Sequence, residues 1–151
     1  MVSKFCQLSV NDVDVVTKLY IKVFSQYPWH EDNKYDDISN YIIHLLQMNT
    51  NRCYLYKDDN ELVGVALGFV KPWYKGVEYQ LDNFFISSDH QRQGFGSDFL
   101  KKIKRAMHKI GVENIILETN KDTPAEHFYF KNGFTSVTDP HSLSLVCETK
   151  K

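Results

Sequence analysis

With 151 residues, 42% of them hydrophobic and 14% aromatic, the chain is long enough to bury a sizeable core, and we expect residues 1–151 to form a single domain. Its 18 basic and 19 acidic side chains leave a formal net charge of -1, which excludes a global electrostatic field that would recruit nucleic acid. The N-terminal residues lack a basic-then-apolar signal pattern, and no apolar run approaches the length of a membrane span, which predicts a cytoplasmic protein without a membrane partner.

The three cysteines, Cys6, Cys53 and Cys147, are far apart in the sequence, and none belongs to a motif with metal-ligand spacing. We expect them to be reduced and buried. The sequence therefore predicts no metal site, no disulfide and no cysteine nucleophile.

The first half of the chain carries the periodicities of a strand, two helices and a hairpin. Ser9 and Asn11–Asp12 are suitable caps for the first helix, whose apolar residues recur at three- and four-residue spacing. The predicted elements are a strand over residues 4–8, a helix that ends before Pro28, a helix around residues 41–48, and a hairpin with strands over residues 52–57 and 62–70.

The second half of the chain alternates strands with helices. Gly111 and Gly133 each predict the end of a helix, and Pro124 is suited to a first helical turn, where its missing amide hydrogen costs nothing. The predicted elements are a strand over residues 78–86, a helix over residues 95–110, a strand over residues 114–118, a helix between Thr123 and Gly133, and strands over residues 134–138 and 143–147.

The segment of residues 25–37, SQYPWHEDNKYDD, combines aromatic side chains with an excess of carboxylates. Its acidic residues are Glu31, Asp32, Asp36 and Asp37, against Lys34. Segments of this composition are more often part of a binding site than segments of the hydrophobic core are. The alternative is a solvated loop whose Trp29 fills a gap in the core and whose Asp36 or Asp37 caps the next helix.

A glycine-containing turn joins the strand over residues 78–86 to the helix that follows. The turn, Gln91-Arg92-Gln93-Gly94-Phe95-Gly96, leads directly into the first helical turn, whose amide hydrogens have no partner inside the helix. With the positive end of the helix dipole at the same place, this arrangement predicts a diphosphate site. It lacks the Lys-Ser or Lys-Thr pair of a nucleoside triphosphatase and the third glycine of a dinucleotide fold. The alternative is an ordinary strand-to-helix turn.

A second motif, Ala125-Glu126-His127-Phe128-Tyr129-Phe130-Lys131-Asn132-Gly133-Phe134, follows at the expected place. Together, Gln-x-x-Gly-x-Gly and A-x-x-F-Y-x-x-x-G-F resemble the GNAT family of N-acetyltransferases. The resemblance covers the whole chain and implies an α/β fold, with a mixed, mostly antiparallel sheet of six to seven strands flanked by about four helices. Leu81-Asp82-Asn83-Phe84 is also similar to the Asp-Gln-Phe segment of some aminoglycoside 6′-N-acetyltransferases.

The resemblance implies acetyl-CoA as the cofactor. In the family the glycine loop holds the pyrophosphate, and a bulge splays the preceding strand from a later one to admit the pantetheine arm. The implied cofactor-binding residues are Phe84, Phe85, Ile86, Gln91, Arg92, Gln93, Gly94, Phe95, Gly96, Ser97, Asn120, Asp122 and Phe128. Asp122 departs from the family pattern, which often has asparagine at this position.

Two residues are the candidate catalysts. Tyr129 matches the family tyrosine proposed to protonate the leaving thiolate, although an aromatic cluster on a helix is commonly core. Asp82 matches the aspartate that assists deprotonation of the amine, and a carboxylate in an apolar strand is costly unless it is paired or faces a cleft. Asp82 could instead pair with a lysine or bind the substrate cation, and Glu78 and Glu118 are weaker candidates for the base.

The resemblance implies acetyl transfer to a primary amine by direct attack. The acidic and aromatic segment favours a small cationic acceptor such as an aminoglycoside or a polyamine, and a homodimer is compatible with the sequence. The expected substrate-binding residues are Trp29, Glu31, Asp32, Tyr35, Asp36 and Trp73. The alternatives are a protein N-terminal or lysine acetyltransferase and a non-catalytic acyl-CoA-binding regulatory module.

Overall fold

A computed structural model describes residues 3–150. Its contacts divide the chain into two compact units, of which the first ends at Thr119 and the second begins at Asn120. The single domain over residues 1–151 stays a prediction. The elements are β1 (Ser3–Gln7), α1 (Val13–Phe24), α2 (Tyr35–Gln47), β2 (Tyr54–Asp58), β3 (Glu61–Trp73), β4 (Gly76–Ile86), α3 (Phe95–Lys109), β5 (Asn114–Ile116) and α4 (Pro124–Lys131).

The described strands form one sheet in the order β1-β2-β3-β4-β5. The first three pairs are antiparallel and β4 pairs with β5 in parallel, which confirms the predicted mixed, mostly antiparallel sheet. A parallel pair needs a crossover connection, which α3 supplies. The β4–β5 pairing covers only Glu78–Gln80 against Asn114–Ile116. Beyond Gln80, β4 continues to Ile86 without ladder pairing to β5, which ends at Ile116.

The strand count is lower than predicted, because residues 134–138 and 143–147 form no strand in the structure. Their alternating apolar side chains are instead exposed, with Val137, Leu143, Leu145 and Val146 between 80% and 96% accessible. An alternating pattern predicts a strand only where a partner supplies the ladder hydrogen bonds. The prediction that all three cysteines are buried is also wrong, since Cys53 is buried, Cys6 is half-buried and Cys147 is exposed.

The main core lies between the sheet and the pair of helices α1 and α2. The apolar stripes predicted for these helices are the faces that they bury against the sheet. From the helices come Val13, Val16, Val23, Phe24, Ile38, Ile42 and Leu45, and from the strands come Leu55, Val65, Leu67 and Phe85. Thr17 is the buried polar residue on α1, and its hydroxyl donates to the carbonyl of Val13 at 2.7 Å. The packing fixes α2 beside the middle of β4.

Candidate active site

A bulge interrupts the pairing of β3 with β4 at Asp82. Leu67 pairs with Asn83 and the next residue, Gly68, pairs with Leu81, so that Asp82 has no partner on β3. Successive side chains of a regular strand point to opposite faces, and an extra residue shifts this alternation. Asp82 and Asn83 consequently share a face, whereas a regular strand would place Asp82 with Phe84. The structure thus has the bulge that the family resemblance implies.

The side chains of Asp82 and Asn83 both bind the hydroxyl group of Tyr41 on α2. The Tyr41 hydroxyl donates to Asp82 Oδ2 at 2.9 Å and accepts from Asn83 Nδ2 at 2.7 Å. Burial raises the pKa of Tyr41, and the negative charge of Asp82 raises it further, so the hydroxyl stays protonated and able to donate at neutral pH.

A second phenol lies in the field of the same carboxylate. Burial raises the pKa of Tyr20 on α1, and the charges of Glu31 and Asp82 add to the effect. Burial also raises the pKa of the Cys53 thiol, which donates to the carbonyl of Gly68 at 3.7 Å. Both side chains are therefore neutral at neutral pH.

The last residues of β4 divide between the two faces of the sheet. Phe85 is buried against α1, with its ring centroid 5.5 Å from those of Tyr20 and Phe24, whereas Phe84 packs on Phe99 of α3 at 5.2 Å. Ile86 is half-buried. Since β5 ends before this point, its ladder hydrogen bonds do not extend to Phe84–Ile86 of β4.

The predicted diphosphate loop lies between β4 and α3. Its backbone turns through two positive φ angles, 63° at Arg92 and 82° at Gly94, and Gly94 is the N-cap of the fifteen-residue helix α3. The side chain of Gln91 donates to the carbonyl of Ile86 at 3.1 Å, and that of Gln93 donates to the carbonyl of Asp89 at 3.4 Å. The first of these bonds connects the loop to the end of β4.

The loop is accessible to a ligand. Arg92 and Gly94 are exposed, and Phe95, Gly96 and Ser97 in the first helical turn are half-buried. A Cβ atom built on Gly94 would meet nothing within 4 Å. The donor set, first-turn amides at the positive end of a helix with one guanidinium beside them, therefore fits a diphosphate.

The structure distributes the predicted substrate-binding residues over several places. Trp29 packs on Phe24 at 4.9 Å against the core, which is the role given by the alternative interpretation. Tyr35 donates to Asp14 Oδ1 at 2.6 Å. Trp73 lies at the tip of the β3–β4 hairpin with its ring 5.0 Å from that of Tyr74.

The acidic residues of the same segment are exposed. Glu31, Asp32 and Asp36 all have accessible side chains, and Glu31 Oε1 accepts a hydrogen bond from Asn33 at 2.9 Å. Lys34 is the N-cap of α2, and Asp36 and Asp37 occupy its first turn. They interact with the helix dipole there without capping the helix, so that part of the alternative interpretation is wrong.

The weaker candidates for the base differ in their surroundings. Glu78 is buried and lies opposite Lys71 on the hairpin, with 3.3 Å between Lys71 Nζ and Glu78 Oε1. This ion pair accounts for the buried carboxylate. Glu118 is exposed at the end of the first unit.

The remaining predicted residues belong to the second unit. Asn120 and Asp122 precede α4, where the Asn120 carbonyl accepts from the Thr123 hydroxyl at 2.7 Å and the Asp122 amide donates to Glu126 Oε2 at 2.7 Å. Asp122 has a φ of 60°, a conformation that asparagine and aspartate tolerate better than most residues. Both residues thus help to begin α4.

Tyr129 lies among the aromatic side chains of α4. Its ring centroid is 5.3 Å from that of Phe128 and 5.4 Å from that of Phe134, and the side chain is half-buried. Burial raises the pKa of Tyr129, so its hydroxyl is protonated at neutral pH. A protonated phenol is able to act as a proton donor.

Two residues of this site were missed by the sequence analysis. Tyr41 and Tyr20 lie on the apolar stripes of their helices, which predicted only core positions. The sequence feature that could have indicated them is the polar pair Asp82-Asn83 within an apolar strand, because such a pair needs hydrogen-bonding partners from a neighbouring element.

A match to a family model decides the assignment. The model described as acetyltransferase (GNAT) family matches residues 14–134. The chain belongs to this family. The chain is therefore a GNAT acetyltransferase, and members of the family generally use acetyl-CoA, to which the open loop at Gly94 is suited.

Solved structures with the same fold have low sequence identity to this GNAT chain. An aminoglycoside acetyltransferase, meta-AAC0020 from an uncultured soil metagenomic sample in complex with sisomicin, is 18% identical with a TM-score of 0.73, over 97% of both chains. A possible acetyltransferase from Clostridium difficile 630 is 13% identical with a TM-score of 0.79, over 97% of this chain and 100% of that one. A transcriptional regulator from Bacillus halodurans C-125 is 16% identical with a TM-score of 0.77, over 95% and 100%.

Within residues 3–150, no group of three or more histidine, cysteine, aspartate or glutamate side chains is arranged to hold a metal ion. No helix in the same range is long and apolar enough to cross a membrane.

Proposed function

We propose that this chain transfers the acetyl group of acetyl-CoA to a primary amine of a small cationic acceptor, such as an aminoglycoside or a polyamine. The observation that carries the proposal is the exposed carboxylate of Asp82 on the bulge of β4, held by Tyr41 in the part of β4 that extends past its pairing with β5. The cytoplasmic location and the homodimer stay predictions.

The loop and the part of β4 beyond its pairing with β5 are proposed to bind acetyl-CoA, which supplies the acetyl group as a thioester. The amides of the first turn of α3, with Arg92, would hold the pyrophosphate. The β4 backbone over Phe84–Ile86 would donate to the pantetheine arm and to the carbonyl oxygen. Backbone donors suit this second task because they are already oriented when negative charge develops on the oxygen.

Asp82 is proposed to assist deprotonation of the acceptor. A primary amine with a pKa near 10 is mostly protonated at neutral pH, and only about one molecule in a thousand is ready to attack. The carboxylate would first bind the ammonium group and then accept its proton, directly or through water, as the nitrogen attacks the thioester carbonyl. No covalent enzyme intermediate is needed.

Tyr129 is proposed to supply the second proton. As the carbon–sulfur bond breaks, a thiolate leaves, and a proton donor lowers the cost of that step. A phenol whose pKa is raised by burial holds its proton until that moment. Its place in the A-x-x-F-Y-x-x-x-G-F motif supports the same role.

The choice of a cationic acceptor rests on charge. The exposed carboxylates of Glu31, Asp32 and Asp36 lie in one segment, and the charges of Glu31 and Asp82 both act on Tyr20, so the segment and the bulge contribute to one negative field. The aminoglycoside acetyltransferase of the same fold is consistent with such an acceptor.

The test is release of CoA from acetyl-CoA with a panel of aminoglycosides, polyamines, amino acids and N-terminal peptides. We expect acceptor-dependent release with the small polycations, and a fall in kcat of about a hundredfold in Asp82→Asn. Glu113→Gln, which removes an exposed carboxylate before β5, is the matched control and should behave as the native protein.

Two other outcomes would replace the proposal. Release with peptides but not with free amines would make the chain a protein N-terminal or lysine acetyltransferase. Silence across the panel, with acetyl-CoA still raising the melting temperature, would favour an acyl-CoA-binding regulatory module, and a transcriptional regulator is among the proteins that share the fold.

A further inference from the structure

We propose that Tyr41 is the positioning residue of Asp82: a chain of two hydrogen bonds, from Asn83 to Tyr41 and from Tyr41 to Asp82, sets the orientation of the carboxylate toward the acceptor. The inference rests on the proposed function, because it assumes that Asp82 meets the acceptor amine. It adds a residue on a different element, with a role that is separable from proton transfer itself.

The chemistry of the three groups gives the chain one direction. The Asn83 amide nitrogen can only donate, and a carboxylate can only accept, so the phenol between them accepts from Asn83 and donates its single proton to Asp82. Asp82 Oδ2 is occupied by this bond. Oδ1 accepts no hydrogen bond from residues 3–150, which leaves it as the oxygen for an incoming ammonium group.

The bulge explains why Asp82 needs an external support. An unpaired strand residue lacks the ladder bonds that fix its neighbours, and the Asp82 side chain is exposed. Misplacement of a reacting group by about 1 Å can cost about a hundredfold in rate. A hydroxyl held by a packed helix removes that freedom.

The support comes from a rigid element. Tyr41 precedes Ile42, which is fully buried, and Leu45 one turn later is also in the core. The ring of Tyr41 itself packs against this core. The hydroxyl is therefore fixed relative to the sheet, and the bulge is held in turn because its two polar side chains bind the same oxygen atom.

A double-mutant cycle tests the inference. Tyr41→Phe keeps the ring in the core and removes the hydroxyl, and we expect kcat at saturating acetyl-CoA to fall about tenfold, well within the loss that misplacement can cause. In the Asp82→Asn background the same substitution should cause no further fall. Tyr56→Phe, which removes another tyrosine–aspartate hydrogen bond at a different place, is the control and should combine additively with Asp82→Asn.

The outcomes separate this inference from the proposed function. An equal fall in both backgrounds, or no fall for Tyr41→Phe alone, would overturn the role of Tyr41 while leaving Asp82 as the base. No effect of Asp82→Asn would overturn both. A crystal structure of Tyr41→Phe gives a readout that needs no activity: we expect the Asp82 carboxylate in a new rotamer, and an unchanged rotamer would contradict the inference.

Discussion

The hydroxyl group of Tyr56 on β2 donates a 2.6 Å hydrogen bond to Asp98 Oδ2 in the first turn of α3. The same carboxylate oxygen accepts from Lys102 Nζ at 2.7 Å, one turn further along the helix. The ring of Tyr56 also lies 5.8 Å from that of Phe95. The beginning of the helix that follows the proposed diphosphate loop is thus fixed to the sheet through Tyr56.

This pair predicts a dependence of stability on pH. Lys102 and then Tyr56 lower the pKa of Asp98 in the folded state. Because the unfolded chain then binds protons more tightly, the stabilisation is present above the unfolded value of about 3.9 and is lost as the pH falls through the lower folded pKa. Asp98→Asn should lower the free energy of unfolding at pH 7 by less than about 1 kcal/mol, since the side chain is 40% exposed.

Urea denaturation between pH 7 and pH 2 measures this effect. The loss caused by Asp98→Asn should be smaller at pH 2 than at pH 7, because the native carboxyl is then protonated as well. Glu113→Gln should not change how the free energy of unfolding falls at acidic pH. A difference between Asp98→Asn and the native protein that is the same at every pH would contradict the assignment.

The left-handed backbone of Gly94 predicts a defect in cofactor binding. An alanine at a φ of 82° is strained by about 1–2 kcal/mol, even though its Cβ would have open space in the protein. Relief of this strain would reorient the first-turn amides, so Gly94→Ala should weaken acetyl-CoA binding severalfold, measured by titration calorimetry.

Gly111 offers a matched control for this prediction. It has a φ of 81°, it follows the other end of α3, and a Cβ atom there would also meet nothing within 4 Å. Gly111→Ala should therefore lose similar stability and keep the native affinity for acetyl-CoA. If both variants lost affinity equally, the loop at Gly94 would not be the diphosphate site.

Close packing beside the bulge predicts that Gly68 is the less replaceable of two strand glycines. A Cβ atom on Gly68 would lie 2.5 Å from the carbonyl oxygen of Gln80 and 2.8 Å from the ring of Tyr79, so backbone must move. On Gly64 it would meet the flexible end of Ile86 at 2.8 Å and the ring of Phe99 at 3.0 Å.

Thermal unfolding of the two alanine variants measures the difference. Gly68→Ala should lose about 3 kcal/mol or more, near the upper end of overpacking effects, and Gly64→Ala about 1 kcal/mol. Equal losses would show that Ile86 cannot move aside. Gly68→Ala should also lower activity more than Gly64→Ala does, because Gly68 pairs with the residue before Asp82.

The raised pKa of Tyr129 predicts a pH profile. If Tyr129 is the proton donor, Tyr129→Phe should lower kcat by about a hundredfold and keep the shift in melting temperature caused by acetyl-CoA. The alkaline limb of kcat should show no ionisation of this phenol below pH 10, since burial raises its pKa above the ordinary value.

A positional control is available on the same helix. Phe130 follows Tyr129 and is exposed, so the double variant Tyr129→Phe, Phe130→Tyr restores a phenol on a different face of the helix. This variant should not recover activity. Recovery would mean that any nearby hydroxyl suffices and that Tyr129 has no particular role.

The elements of the fold follow from sequence periodicity more directly than the site does. The stripes of α1 and α2 and the apolar runs of β2 to β4 predicted the existence and type of each element, because burial of one face decides them, although α2 begins at Tyr35, six residues before the predicted start. The same reasoning predicted strands over residues 134–138 and 143–147. Their alternation is equally clear, but strand formation also depends on partners that a local pattern does not specify.

The site was predictable where a local motif carries the chemistry. Gly94 and the turn around it are local, and the structure has the positive φ that the motif requires. The partnership of Asp82 with Tyr41 joins residues 41 positions apart, through a one-residue shift that only the paired strands reveal. Trp29 was predicted to bind the substrate and is instead half-buried against the core, because a large aromatic side chain suits both places.

The bulge at Asp82 also restricts how the length of this hairpin can change in evolution. Deletion of Asp82 would restore regular alternation but remove the carboxylate, whereas a deletion at Tyr79 or Phe85 would turn part of the strand to the wrong face. An insertion elsewhere in β4 would have the same effect. The exposed turn at Tyr74–Lys75 has no such constraint. Relatives of this protein should therefore vary in hairpin length at that tip, while the spacing from Gly76 to Ile86 stays the same.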